Sequence, residues 1–251
     1  MPQPSPSERE QRWEAERAQG AALVEDGFES AWGWTGPAGA RRAERRAQFI
    51  IEEARLAPGV RCVELGAGTG EFTARLARSG CELVAIELSE ATAEVCRLRV
   101  GDGAEVAVGN AETGEGLGDR VFDAVVGVSV LHHLDLDRCL ETTILPHLRP
   151  GGRFAFSEPN MANPQVWAER HVEAVRRRRH TTEHETAFRP AELRRQLEAA
   201  GLRVERCEPF DFLHPGTPAR LIPAVSALGR ALERSPVRAI AGSVRVAGHR
   251  P

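Results

Sequence analysis

The chain contains no tyrosine, and aromatic residues make up only 5% of it. Its formal charge is −3, so no global basic field is present to attract nucleic acid or an anionic membrane surface. Without stacking aromatics or a wide basic surface, a nucleic-acid-binding reading is disfavoured. No apolar run is long enough to cross a bilayer. Residues Met1 to Gly20 have no apolar stretch of the kind a signal peptide needs. These absences predict a soluble, cytoplasmic chain with no membrane partner. Cysteine is sparse: Cys62, Cys81, Cys96, Cys139 and Cys207 are scattered, form no CxxC pair, and mostly occupy apolar stretches. They read as buried thiols in a reducing compartment, not as a zinc or disulfide framework. No GK[ST] follows a glycine turn, which excludes a P-loop. There is no internal repeat and no low-complexity tract.

What is present fits one large α/β domain or two small ones in 251 residues. Pro2, Pro4 and Pro6 predict a frayed tail over residues 1–8. Helical spacing runs from Glu8 to about Asp26, with Trp13, Ala21 and Val24 as candidate buried positions. A break at Trp32-Gly33-Trp34 precedes a second helix, from about Ala38 to Leu56, stopped by Pro58-Gly59. Strand-length apolar runs then alternate with helical stretches. The runs are Val60–Leu65, Leu83–Ile86, Val106–Val108, Phe122–Val128 and Arg153–Phe156. Continuous runs of this kind suit strands buried on both faces of a parallel sheet. Helices are predicted over Glu71–Ser79, Glu90–Val100 and Arg138–Leu148, with Gly80 and Gly101 as C-caps of the first two. Beyond Glu158, helices are expected over Asn163 to about His180, Pro190–Ala200 and Pro218–Glu233. Strands are expected at Leu202–Cys207 and Ser243–Ala247. The alternation predicts a doubly wound α/β fold.

The strand Val60–Leu65 runs into the turn Gly66-Ala67-Gly68-Thr69-Gly70. Glycines there permit positive φ and close backbone approach to a ligand. A dinucleotide fingerprint would require glycine at position 71, which is Glu71, and its carboxylate would repel a pyrophosphate. Glu87 ends the next apolar run, some 20 residues on, where an acidic group can accept bonds from ribose hydroxyls. Gly109-Asn110-Ala111-Glu112 follows the third run, where an amide could meet the polar edge of adenine or serve a plain turn.

Taken with Phe122-Asp123-Ala124-Val125-Val126, Leu131-His132-His133-Leu134, Leu148-Arg149-Pro150-Gly151-Gly152, Phe188-Arg189-Pro190 and Ala200-Gly201-Leu202, these pieces resemble the class I S-adenosylmethionine-dependent methyltransferases. The resemblance covers roughly residues 45–210. It is strongest to the small-molecule group that includes the ubiquinone and menaquinone methyltransferases and many natural-product enzymes. It implies a seven-stranded, mostly parallel Rossmann-like sheet with a reversed last strand. It implies S-adenosylmethionine as cofactor, and methyl transfer to a small-molecule acceptor in secondary or cofactor metabolism. Residues 1–44 would form an N-terminal helical cap and 45–251 the cofactor-binding domain, with a substrate lid at about 160–188. Glu64, Gly66, Ala67, Gly68 and Gly70 would surround the methionine moiety. Glu87 would hold the ribose, and Leu88 would pack on adenine. Asn110, Ala111 and Glu112 would form the adenine end, although the family usually carries Asp at position 110. Val128 and Ser129 would lie near the sulfonium.

A general base is needed only when the acceptor carries a proton at working pH. The candidates are His133, Glu158 and His184. Two further signals compete with plainer explanations. His180 to His184 matches an H-x-x-E-H zinc signature, but two threonines inside it weaken the helix it would need, and no metal site is expected. Arg176–Arg179 reads as a solvated helix face or a grip on an anionic substrate. Trp32 and Trp34 either pack the N-terminal helices or face a sulfonium. The alternatives are a non-catalytic binder of the same cofactor and, less favoured, a nicotinamide oxidoreductase. A monomer or a homodimer is compatible with the sequence.

Overall fold

A computed structural model describes residues 5–25, 33–173 and 186–251. Trp32, Arg176–Arg179, the His180–His184 motif and His184 itself lie outside the described residues. The chain opens with α1 (Pro6–Glu25) and α2 (Gly36–Ala54). There follow β1 (Arg61–Leu65), α3 (Thr73–Leu76), β2 (Glu82–Glu87), α4 (Glu90–Val100), β3 (Glu105–Val108) and β4 (Phe122–Val128). Next come α5 (Leu136–Cys139), a π-helical turn (Leu140–Ile144) and α6 (Leu145–His147), which form one continuous helical stretch. The remainder is β5 (Leu148–Pro159), α7 (Pro164–His171), α8 (Pro190–Ala199), β6 (Arg203–Phe210), α9 (Ile222–Leu232) and β7 (Ser243–His249).

The strands form one seven-stranded sheet in the order β3-β2-β1-β4-β5-β7-β6. The pairs β3-β2, β2-β1, β1-β4 and β4-β5 are parallel. The last strand in sequence, β7, runs antiparallel to both its neighbours. The doubly wound sheet with a reversed last strand is therefore present as expected. Side-chain alternation sends Val63, Leu65, Val125, Phe154 and Phe156 to one face, against Leu140 and Ile144 and against Leu193 and Leu197 of α8. The other face carries Cys62, Ala124, Ala155 and Ala247, and Ala43, Ala47 and Ile50 of α2 pack there. The small side chains on this face let α2 lie close to the sheet. Burial of each large apolar side chain contributes about 1.5–3 kcal/mol.

Several local expectations change. The tail does not fray as far as residue 8. Ser5 Oγ accepts from the Glu8 backbone N–H at 3.3 Å, and the Ser5 N–H donates to Glu8 Oε2 at 2.6 Å. This is a capping box, with Pro6 in the first turn where its missing N–H costs nothing. The helix expected to open at Glu71 spans only Thr73–Leu76, because the glycine turn continues through Phe72, and it ends in a 3-10 turn over Ala77–Ser79. The helix expected to reach His180 is described as Pro164–His171. The boundary drawn at 44/45 falls inside α2, a single helix whose later half packs on the sheet. Cys62, Cys81, Cys96 and Cys139 are buried free thiols, and Cys207 is half-buried. Among the described residues no helix is long and apolar enough to cross a membrane, and no cluster of metal-ligating side chains occurs.

Candidate functional site

Strand order reverses between β1 and β4, and ligands of open α/β sheets bind beyond the strand C-termini at such a point. A cavity of about 810 Å³ opens there. It is lined by Gly66, Ala67, Gly68, Glu87, Leu88, Asn110, Ala111, Val128, Ser129 and His133 of the residues singled out from the sequence. Glu64, Gly70, Glu112 and Glu158 do not line it.

The glycine turn owes its shape to two constraints. Gly66, Gly68 and Gly70 have φ of +66°, +54° and +82°, in the left-handed region. A Cβ on Gly66 would also lie 2.5 Å from Val130 Cγ2. Glu87 ties the turn to the neighbouring strand. Its Oε2 accepts from the Gly68 N–H at 2.8 Å, and its Oε1 accepts from the Ser89 N–H at 3.0 Å. Burial raises the Glu87 pKa, and these hydrogen bonds to the charged form oppose the rise. Glu71 is not an isolated carboxylate, since Arg75 and Arg99 pair with it at 2.8 and 3.1 Å. Its charge is therefore largely compensated, and the glycine spacing carries the case against a dinucleotide.

Asn110 is 2% exposed. Its Oδ1 accepts from the Glu112 N–H at 2.9 Å, whereas its Nδ2 is a buried donor with no partner, on a residue lining the cavity. Glu112 lies behind this wall and accepts from Arg12 of α1 and, at 3.0 Å, from the Asp135 N–H. Its side chain thus holds the N-terminal helix to the core. Glu64 lies beneath the glycine turn, bonded to the Thr73 hydroxyl, and burial pushes its pKa up to about 8. Ser129, at the end of β4, has φ +53°, a strained conformation for a non-glycine residue.

The two described base candidates separate. Glu158 is 1% exposed and accepts from the backbone N–H groups of Val130 and Leu131 at 3.1 and 3.0 Å. Its other oxygen lies 2.8 Å from His132 Nδ1. Burial pushes its pKa up to about 7. Glu158 therefore orients His132 from behind and shapes the loop after β4. His133 lines the cavity, and its Nδ1 lies 3.3 Å from Glu16 of α1.

Apart from Trp34, the opposite wall is one that sequence reasoning did not find. Arg46 is 1% exposed, donating to Asp211 Oδ2 at 2.6 Å and to Ser243 Oγ at 2.6 Å. Arg42 donates to the same Asp211 oxygen at 3.1 Å and to the Gly33 carbonyl at 3.2 Å. Both guanidinium groups lie 4.9 Å from the centre of the Trp34 ring. Trp34 thus packs against cations of its own chain. Asp211 has φ +73°, and the two arginines hold its pKa below the usual carboxylate range despite burial. Phe212, Pro215 and, from α7, Val166 complete this chamber. No short motif links residues so far apart in sequence. Their local signals are Trp34 and the i, i+4 arginine pair on α2.

An open doubly wound sheet with a glycine turn, a strand-end carboxylate and an amide-lined pocket defines a nucleoside-binding α/β protein. The chain belongs to the methyltransferase-domain family, whose model matches residues 39–206. It is 31% identical over 156 residues to a ubiquinone biosynthesis O-methyltransferase of Sinorhizobium fredii, covering 58% of this chain and 61% of that protein. It is 37% identical over 101 residues to a demethylmenaquinone methyltransferase of Clavibacter sepedonicus, covering 40% and 41% of the two chains. Each match spans less than two thirds of the relative. The fold is shared with magnesium protoporphyrin IX methyltransferase from Synechocystis, solved with bound S-adenosylhomocysteine. That structure has a TM-score of 0.64 at 12% identity, with 94% of this chain and 98% of that one covered. It is shared equally with the [4+2]-cyclase SpnF, with a TM-score of 0.64 at 18% identity and 100% and 98% covered.

Proposed function

We propose that this chain transfers a methyl group from S-adenosylmethionine to a small-molecule acceptor. The observation that carries the reading is the convergence of the glycine turn, Glu87 and Asn110, whose amide nitrogen is unpartnered, on one cavity. The cavity volume suits a nucleoside cofactor together with a small acceptor. When bound, the cofactor supplies an electrophilic methyl group on a sulfonium with a neutral leaving group.

The chain's own residues then have distinct tasks. Gly66, Ala67 and Gly68 give a side-chain-free surface for close backbone approach, with Gly70 completing the turn. Glu64 supports the turn from beneath. Glu87 accepts from the ribose hydroxyls while keeping its bond to Gly68. Leu88 and Ala111 flank the adenine, and the Asn110 Nδ2 donates to a ring nitrogen. Glu112 acts on that end indirectly, through the loop it holds. Val128 and Ser129 border the reacting centre. The chamber of Trp34, Arg42, Phe212 and α7 takes the acceptor and excludes water, with the described residues 160–173 and 186–188 as part of its lid. Positioning of this kind can lower a barrier by about 7–11 kcal/mol. For a protonated acceptor, His133 is the base candidate on the cavity wall. Glu158 is the group that orients its neighbour His132.

Calorimetric titration tests the cofactor assignment. Tight binding of S-adenosylhomocysteine with none of NAD is expected, and the reverse would overturn it. A turnover assay against phenolic and other small acceptors separates an enzyme from a non-catalytic binder.

A further inference from the structure

Two buried donors on the cavity wall have nothing to donate to. One is Asn110 Nδ2, and the other is the indole Nε1 of Trp13, on α1. Trp13, Glu16 and Gly20 follow i, i+3, i+7 spacing, so they share one face of α1. That face is held down at three places. Arg12, adjacent to Trp13, pairs with Glu112 in the loop after β3. Glu16 meets His133 after β4. At Gly20 the helix comes so near the start of α4 that a Cβ would lie 2.8 Å from Ser89. From Arg12 to Gly20 the helix covers about 12 Å, at roughly 1.5 Å per residue. In that distance it passes over the loops that carry the adenine and ribose candidates.

Hydrophobic burial does little to hold α1 there. Between Pro6 and Ala22, Trp13 is the one large apolar side chain. In the chain it lies next to Arg12, whose partner Glu112 is two residues from Asn110, and it lines the same cavity as Asn110. Leaving a buried donor unpaired is costly, whereas supplying an acceptor recovers that cost.

We propose that Trp13 is a cofactor-binding residue, its indole N–H donating to an acceptor atom on the nucleoside half of the bound molecule, so that α1 forms the roof of the nucleoside pocket. The proposal rests on the methyl-donor reading above. It makes the N-terminal helix part of the cofactor site, and it couples docking of α1 to cofactor occupancy by mass action.

The test uses the full chain and S-adenosylhomocysteine. Trp13→Phe keeps the apolar ring and removes only the donor. Its affinity is expected to fall about three- to tenfold, the range of one neutral hydrogen bond. The cofactor-free thermal midpoint should stay unchanged or rise, because the substitution deletes an unsatisfied donor. A purely structural role for Trp13 would instead lower that midpoint. Hydrogen exchange on the wild-type chain gives a readout that needs no variant: S-adenosylhomocysteine should slow exchange across residues 6–25. Wild-type binding with unchanged Trp13→Phe affinity and no added protection of α1 overturns the role of Trp13 and leaves the cofactor reading standing. Failure of the wild type to bind S-adenosylhomocysteine overturns both.

Discussion

The proposed nucleoside half of the cavity, beneath α1, is built from the C-terminal ends of four adjacent parallel strands, and each residue that these strands contribute lies within a few positions of a strand end. The chamber opposite draws Trp34, Arg42 and Arg46 from the N-terminal region and Asp211 and Ser243 from the C-terminal region. It joins them with a buried ion cluster. The first half presents backbone and single unpaired atoms. The second is already saturated with its own internal bonds. A surface that must accept the same ligand each time can be specified by local backbone shape. A surface assembled from distant segments has to be locked by strong mutual contacts before it can hold a shape at all.

The sharpest way to break this comparison is to substitute Asp211. Asp211→Ala leaves Arg46 charged and buried without its carboxylate, and a loss of about 3–5 kcal/mol is expected in denaturant unfolding. Affinity for S-adenosylhomocysteine in the folded fraction should change little, since Asp211 belongs to the other half. A large affinity loss would show that the two halves are not separable. Glu87→Ala reverses the pattern. It removes charge-assisted bonds to the ligand and to Gly68, so affinity should fall about ten- to a hundredfold while folding cooperativity persists. Titration calorimetry with a parallel urea melt reads both. Asn110→Ala is expected to cost about three- to tenfold in the same titration.

A pH series sharpens the comparison further. Burial raises the Glu64 pKa from 4.5 to about 8, so between these values the folded chain binds more protons than the unfolded one. The stability that Glu64 contributes is therefore fully present below about 4.5 and is lost as pH rises through about 8. Glu64→Gln should gain stability relative to wild type between pH 5 and 9 in thermal melts. A constant difference across that range would refute the buried, protonated carboxyl. The smallest effect is expected at the surface. Arg97, half-exposed, pairs with Glu90 and Glu94 and donates to the Val106 carbonyl at 3.3 Å, and Arg97→Ala should shift stability by about 1 kcal/mol in urea unfolding.

Much of the nucleoside half was legible in the sequence because it obeys short-range rules. Gly66, Gly68 and Gly70 announce positive φ, and Glu87 announces itself by ending an apolar run. The limits of legibility are equally physical. The resemblance places Glu112 at the adenine end, and Glu158 is a base candidate at a strand end, yet their side chains turn back to hold Arg12 and His132. A carboxylate at a strand end can reach either a ligand or a neighbouring loop, and spacing does not distinguish them. The capping box at Ser5 and Glu8 was present in the sequence but was masked by the three nearby prolines.

The sequence by itself determined the doubly wound sheet and the position of the glycine turn, each from periodicity, turn chemistry or motif spacing within a short stretch of chain. The reversed last strand was implied only by the family resemblance, because strand direction is set by long-range pairing. Tertiary structure alone decided which buried polar atoms are satisfied and which are left over. It paired Asp211 with Arg42 and Arg46, turned Glu112 toward α1, and left Trp13 Nε1 and Asn110 Nδ2 buried and unpaired, on residues that line the cavity. Hydrogen-bond satisfaction depends on every group that folding brings within about 3 Å, and most of those groups are distant in sequence.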